Sequence, residues 1–324
     1  MKEHNDSPSE EVSLHNHSRR KFLVGAGASA LSFGAISCGH PSTNSRPVPT
    51  PIVTPDPNFM RGCNTDVAVD YQAAGITVSG VRHYCEFNNI PPVWPGPRPT
   101  DPNSTVAMCV SVYPNVSTLL NGGYDKVLTG FLQGAQAKDM LGCWHEASSM
   151  KYVDGTGHTI TAADQCNMQQ YLQKFAKAQG SPVVVGAIDN SPWAEASPWM
   201  ARGLDFYSMD VYEGEESEPV VVLNEWQDQV VTNGYGSSVA TISVTETNCK
   251  CEGSCETTYM SDRKCYFNEI ASWLANQTRR GPRCFLTFWN PTGPLSGPWL
   301  PGDTATINAL KNIGNGNYST PAGC

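Results

Sequence analysis

Residues 106–146 read "VAMCVSVYPNVSTLLNGGYDKVLTGFLQGAQAKDMLGCWHE". Two short apolar runs, "VAMCVSVY" (106–113) and "MLGCWHE" (140–146), flank a segment, 124–139, that places Val127, Leu128, Phe131, Leu132 and Ala135 on one helical face. Near-continuous apolar runs, as opposed to alternating ones, belong to strands buried on both faces. Strands separated by helices run parallel, with right-handed crossovers. The second run ends on His145 and Glu146, which sets charge at the C-terminal tip of a buried strand.

The same unit recurs along the chain. Strand-like runs stand at 60–64 (MRGCN), 76–82 (ITVSGVR), 106–113, 140–146, 183–189 (VVVGAID), 204–212 (LDFYSMDVY), 239–246 (VATISVTE) and 284–290 (CFLTFWN). Between them, "TAADQCNMQQYLQKFAKAQG" opens with Thr161 and Asp164 in capping-box spacing and closes on Gly180. "LNEWQDQVVTNG", "YFNEIASWLANQTRRG" and "TATINALKNIGNG" repeat the polar start and glycine stop. Residues 85–105 are Pro-rich and read as a loop. Eight strands in about 265 residues predict an α/β fold, a (β/α)8 TIM barrel in a single catalytic domain. The main rival, an open doubly wound sheet, lacks a G-x-G-x-x-G or phosphate loop after any strand.

Upstream, "SRRKFL" (18–23) precedes the uncharged "VGAGASALSFGAI", the pattern of a twin-arginine export signal. It ends in "AISCG", a lipoprotein-type box with Cys38 as the lipidation candidate, against ordinary cleavage nearby. The expected organisation is 1–38 signal peptide, 39–58 Pro/Thr/Ser-rich linker and 59–324 barrel. The protein is expected outside the cytoplasm, extracellular or at the cell surface, with membrane attachment only through Cys38. The formal net charge of −9 argues against nucleic acid or anionic lipid as partner and is compatible with a neutral polysaccharide. A monomer is expected.

Twelve cysteines in an exported chain suggest disulfides. Cys109, Cys143 and Cys284 lie inside apolar runs and read as buried thiols. The cluster Cys249, Cys251, Cys255 and Cys265 lacks the paired knuckles of a structural zinc site and reads as disulfides stapling a long loop, with a structural metal as the lesser reading. The acidic run "EGEESE" (213–218) reads as a solvated loop, and Trp193 and Trp199 as either helix packing or sugar platforms.

In such a barrel, function belongs at the C-terminal strand ends. There the chain sets Arg82 and His83, Tyr113, His145 and Glu146, Asp189 and Asn190, Asp210 and Tyr212, Glu246, and Trp289 and Asn290. Strands four and seven lie across the ring from each other, so Glu146 and Glu246 could face one another over its mouth, the arrangement of glycoside hydrolysis. This pattern resembles the clan A, "four-over-seven" retaining glycoside hydrolases. Within the clan, Trp-His-Glu at 144–146 resembles glycoside hydrolase family twenty-six, the β-mannanase type, in which His precedes the acid/base Glu. "ISVTETN" (242–248) and "FLTFWN" (285–290) similarly resemble the clan's nucleophile strand and eighth strand, and "DVY" (210–212) its sixth-strand end.

The resemblance implies Glu146 as general acid/base, Glu246 as nucleophile, Tyr212 as a hydrogen-bond donor to it and Trp289 as the floor of the sugar subsite. Arg82, His83, Trp144, His145, Asp189, Asp210, Tyr212 and Trp289 are the expected substrate-binding set, with carboxyls about 5–5.5 Å apart. No cofactor or metal is expected. The alternative is a surface lipoprotein that binds polysaccharide on a barrel without hydrolysing it. A metal-dependent hydrolase on His83, His145, Asp189 and Glu146 has less support, because strand one carries no H-x-H. The chain also lacks H-E-x-x-H and G-x-S-x-G, which counts against a zinc peptidase and an α/β-hydrolase.

Overall fold

A computed structural model describes residues 56–100, 105–213, 219–249, 257–287 and 304–324, all within the compact unit Ile52–Cys324. The signal and linker through residue 55, Cys38, the 214–218 acidic run, Cys251, Cys255 and Trp289 lie outside the described residues.

Eight parallel strands form one sheet: β1 (Phe59–Asn64), β2 (Gly80–Phe87), β3 (Ala107–Tyr113), β4 (Met140–Cys143), β5 (Val184–Asp189), β6 (Phe206–Met209), β7 (Thr241–Ser243) and β8 (Arg283–Thr287). They pair in sequence order, and β8 pairs with β1 from Phe59↔Arg283 to Cys63↔Thr287. The ring closes between β7 and β8, where Val244 N–H donates to Cys284 O at 2.8 Å and Val244 O accepts from Leu286 N–H at 3.0 Å. The fold is a (β/α)8 barrel.

Its bore is a packed core. Met60, Cys109, Met140, Ile188, Phe206 and Leu286 fill it from six strands, each at most 2% exposed. Two glycines make the room: a Cβ at Gly186 would stand 2.5 Å from the Phe206 ring, and one at Gly142 would stand 2.6 Å from Ile188 Cδ1. Above this layer the lining turns polar, with Arg82, Ser111, Ser208 and Ser243 all buried.

The helices include α1 (Ala68–Ala73), α2 (Val116–Leu120), α3 (Asp125–Gln133), α4 (Ala147–Met150), α5 (Ala162–Ala178), α6 (Trp193–Ala196), α7 (Pro219–Gln227), α8 (Thr257–Ala275) and α9 (Thr304–Gly314). Helix α5 carries the capping box expected at Thr161 and Asp164, and Gly180 follows it at φ +64°. Helix α3 ends at Gln133, six residues short of the expected stop, because Gly134 sits against Trp94 from the Pro-rich 85–105 loop. Among the described residues no helix is long and apolar enough to cross a membrane.

Two boundaries differ from expectation in ways that matter. Strand β2 begins at Gly80 and runs through the polar "HYCEF", so the apolar Ile76 and Val78 that signalled it lead into the strand. Beyond β6, the residues Val211–Glu213 pair in parallel with Thr247–Cys249 as a small rim sheet that carries Tyr212 to the mouth. Trp193 packs edge-on against Trp226 and Tyr235 at centroid distances of 5.4 and 4.9 Å, which assigns it to packing.

Cys109, Cys143 and Cys284 are free, buried thiols. Cys265 bonds Cys324 across 59 residues, tying α8 to the C-terminus, whereas the sequence reading had placed it in a staple within its own cluster. A bond closing a segment of that length stabilises by about 4 kcal/mol through the entropy of the unfolded chain. Replacing both cysteines by serine should therefore lower the urea-extrapolated unfolding free energy by up to about 4 kcal/mol. An unchanged midpoint would show that the C-terminus is held by other contacts.

Candidate active site

The end of β4 carries the first acid. Trp144 (φ +46°) and Glu146 (φ +54°) both adopt left-handed backbone, which side chains other than Gly, Asn and Asp rarely take and which costs about 1–3 kcal/mol each. The neighbouring structure holds them there. Trp144 N–H donates to Val112 O and Glu146 N–H to Ile188 O, each at 3.0 Å, fixing the turn to β3 and β5. The buried amide of Gln165 on α5 donates to both Cys143 O and Trp144 O.

This turn sends consecutive side chains in different directions. Trp144 goes down into a cluster with Tyr113, Tyr152 and Phe87, is fully covered, and donates its indole N–H to Pro114 O at 3.0 Å. It therefore supports the site from beneath, and its expected role as a substrate contact is corrected. His145 and Glu146 go to the mouth, where one side-chain atom from each of His145, Glu146 and Glu246 lies within 4.8 Å of the others. Glu146 and Glu246 are 8% and 5% exposed.

Glu246 sits among donors. Tyr212 O–H donates to Oε2 at 2.7 Å, and Tyr84 O–H donates to Oε1. Arg82 Nε lies 3.9 Å and His145 Nε2 3.6 Å from Oε1. Tyr84 is the residue that sequence reasoning missed. With β2 taken to end at Arg82, the next position of the same phase was not considered; alternation along the strand puts Arg82 and Tyr84 on one side and His83 on the other. His83 is half-buried, interacts with the Asp66 carboxylate of the turn after β1, and is held below its ordinary pKa by burial.

Arg82 is 1% exposed and lies under the two glutamates. It donates to Ser111 Oγ at 2.9 Å and Cys109 Sγ at 3.3 Å, and its guanidinium stacks on the Tyr84 ring at 4.6 Å. Asp210, 2% exposed, accepts from Thr245 Oγ1 at 2.6 Å below Glu246. Asp189 is saturated by Ser148 Oγ and by the N–H groups of Ser148, Asn190 and Ser191 at 2.9–3.1 Å, which anchors α4 beside Glu146. All three are almost fully buried, at 2% exposure or less, beneath the mouth.

The region is short of positive charge. Four carboxyls (Glu146, Asp189, Asp210 and Glu246) are buried around the Arg82 guanidinium, and a buried charge without a partner costs several kcal/mol. Protons make up the difference. Burial pushes Glu246 up to about 7 against the pull of Arg82, and pushes Asp210 up to about 7 against Arg82 and the Thr245 hydrogen bond. Burial, reinforced by Arg82, drives His145 down to about 3, so its ring is neutral. Tyr113 Oη lies 2.7 Å from Nδ1, a hydrogen bond whose direction follows the ring's tautomer, and Nε2 faces Glu246 at 3.6 Å.

No protein-family model matches the chain, and no curated protein matches it. Solved structures similar to it include a glucosidase from Croceicoccus marinus, at 10% identity over 81% of this chain and 66% of that one, TM-score 0.48. A family GH26 β-mannanase from Bacteroides ovatus is similar at 9% identity over 79% and 88% of the two chains, TM-score 0.47. An endo-β-1,4-mannanase double mutant from Cellulomonas fimi is similar at 10% identity over 79% and 70%, TM-score 0.48. The chain thus spans just under two thirds of the glucosidase. The family that the sequence motifs resemble is among these neighbours.

The raised carboxyls set the sign of a pH effect on stability. Between the ordinary values of 4.5 and 3.8 and about 7, the folded protein keeps protons on Glu246 and Asp210 that the unfolded chain releases, so their contribution to stability falls as pH rises through that window. Asp56, Asp154 and Asp164, whose hydrogen bonds hold them below the ordinary value against burial, act in the opposite sense, and their contribution is lost as pH falls below about 4. Urea midpoints should decline from about pH 6.5 to pH 8, above the window in which His145, held down to about 3, adds stability as pH rises, and should decline less in Asp210→Asn. Identical slopes for the two proteins would contradict the assignment of a retained proton to Asp210.

Proposed function

We propose that the chain is an exported, retaining, endo-acting glycoside hydrolase that cleaves a β-linked polysaccharide by double displacement. The observation that carries this reading is the approach of the Glu146 and Glu246 carboxyls within 4.8 Å at the mouth of the barrel. So close an approach of their nearest oxygens favours the narrowly set pair of a retaining enzyme over the wider pair of an inverting one.

The surroundings divide the labour. Two phenols, the His145 ring and a guanidinium surround Glu246, and such partners favour its ionised form against the burial that raises it to about 7. Above that pH Glu246 acts as the nucleophile that bonds the anomeric carbon. Glu146 protonates the departing glycosidic oxygen. Once Glu246 is esterified its charge is gone, and Glu146, now a carboxylate, takes a proton from the water that attacks the anomeric carbon and releases Glu246. Neutral His145, held by Tyr113 at Nδ1, stands with Nε2 3.6 Å from the nucleophile and adds no charge to it. The substrate-floor role of Trp289, the twin-arginine export and acylation of Cys38 complete the proposal as the sequence motifs imply them.

Screening a polysaccharide panel with the chain lacking residues 1–37, and reading the first anomer formed by NMR, tests the reaction. Net inversion would end the double-displacement reading, and binding without turnover would favour the non-catalytic alternative. Glu146→Ala should lose roughly 10²–10⁴-fold in kcat on unactivated glycans and far less on aryl glycosides with good leaving groups, with azide restoring turnover as the β-glycosyl azide. Glu246→Ala should lose turnover on both, with rescue as the α-azide. Tyr84→Phe removes one donor to the carboxylate and should move the acid limb of the kcat/KM profile to higher pH. An unmoved limb would reduce Tyr84 to packing.

A further inference from the structure

Strand β2 contains an irregularity that the catalytic reading does not use. Its register with β3 is regular from Gly80↔Ala107 to Tyr84↔Ser111, and the next pair is Phe87↔Tyr113, so β2 spends three residues where β3 spends two. Such a bulge reverses the phase of the strand beyond it and re-aims the side chains that follow. Without it, Phe87 would fall on the opposite side from Arg82 and Tyr84. With it, Phe87 joins their side, above the mouth.

The ring is held there on one face. It stacks on Tyr113 at 4.4 Å with planes 22° apart, meets the edge of Trp144 at 5.6 Å and approaches Tyr152 at 5.9 Å. Phe87 nevertheless remains 48% exposed although Tyr113 covers one of its faces. The loop behind it is fixed too: Gly155 N–H donates to Asn115 Oδ1 at 2.8 Å and Val116 N–H to Asp154 Oδ2 at 2.9 Å. From this ring the path to the chemistry is short, since Tyr113, its stacking partner, lies 6.0 Å from the His145 ring and bonds it.

An isolated exposed apolar side chain is ordinary. A flat ring turned toward a catalytic mouth by a bulge, rigidified by three others and left exposed has the properties of a binding surface for a flat, partly apolar ligand that runs out of that mouth. We propose that Phe87 is a stacking platform for a pyranose unit next to the one being cleaved, with the ring's C–H face laid on the phenyl. The proposal rests on the glycoside hydrolase reading, and it makes that site one that reads a chain of several sugars.

The test compares substrate length. With β-1,4-mannohexaose and cellohexaose set against the matching monosaccharide β-glycosyl fluorides, which fill only the subsite of the cleaved unit, Phe87→Ala should lower kcat/KM on the better hexaose about tenfold more than on its fluoride. Phe87→Tyr should retain the wild-type ratio, while Phe87→Leu, which keeps apolar volume against Tyr113 without a flat face, should behave as the alanine variant does. An equal loss on both substrates, or no loss, overturns the platform. Oligosaccharide binding to Glu246→Gln, with and without Phe87→Ala, separates this from failure of the parent reading. If the wild type hydrolyses nothing yet binding weakens with Phe87→Ala, the hydrolase reading fails and the platform stands; if binding is unchanged or absent, the platform fails as well.

Discussion

Arg82 puts a permanent positive charge under the mouth of the barrel, and the rest of the site is arranged around that cost. A guanidinium with 1% exposure needs compensation from anions and acceptors. It finds them in Glu246, Ser111, Cys109 and the face of Tyr84. Burial holds protons on Glu246 and Asp210 up to about 7 against the pull of that cation, while burial reinforced by Arg82 denies one to the neighbouring His145 ring.

The layer beneath works by hydrogen bonding. Asp189 pins the start of α4 through Ser148, Asp210 and Thr245 sit under Glu246, and the rim sheet brings Tyr212 over it. Their common effect is to restrict the glutamates to one geometry, which is what positioned charge requires.

Much of this was legible in the sequence. Eight buried strands announce themselves as apolar runs because both faces are covered, and the Glu pair, Tyr212 and the α5 cap follow once the strands are counted. The limits have physical causes. Strand β2 hides because its second half, "HYCEF", is polar at the mouth, so the apolar signal marks its approach and not its body; Tyr84, Phe87 and the phase of His83 were lost with it. Trp144 and Asp189 stand at strand ends like ligand-binding residues, and only the left-handed turn and the backbone N–H groups around Ser148 show them to be supports. The Cys265–Cys324 pairing joins residues with no local pattern to link them.

The two left-handed residues at the end of β4 decide how that strand meets the mouth. Glycine would occupy either backbone conformation without strain, but at 144 it would empty the aromatic cluster that the indole fills, so packing offsets the strain there. The bent peptide units at 144 and 146 turn one side chain down to brace the wall and the next acid up to the opening, a separation that a straight strand end could not provide.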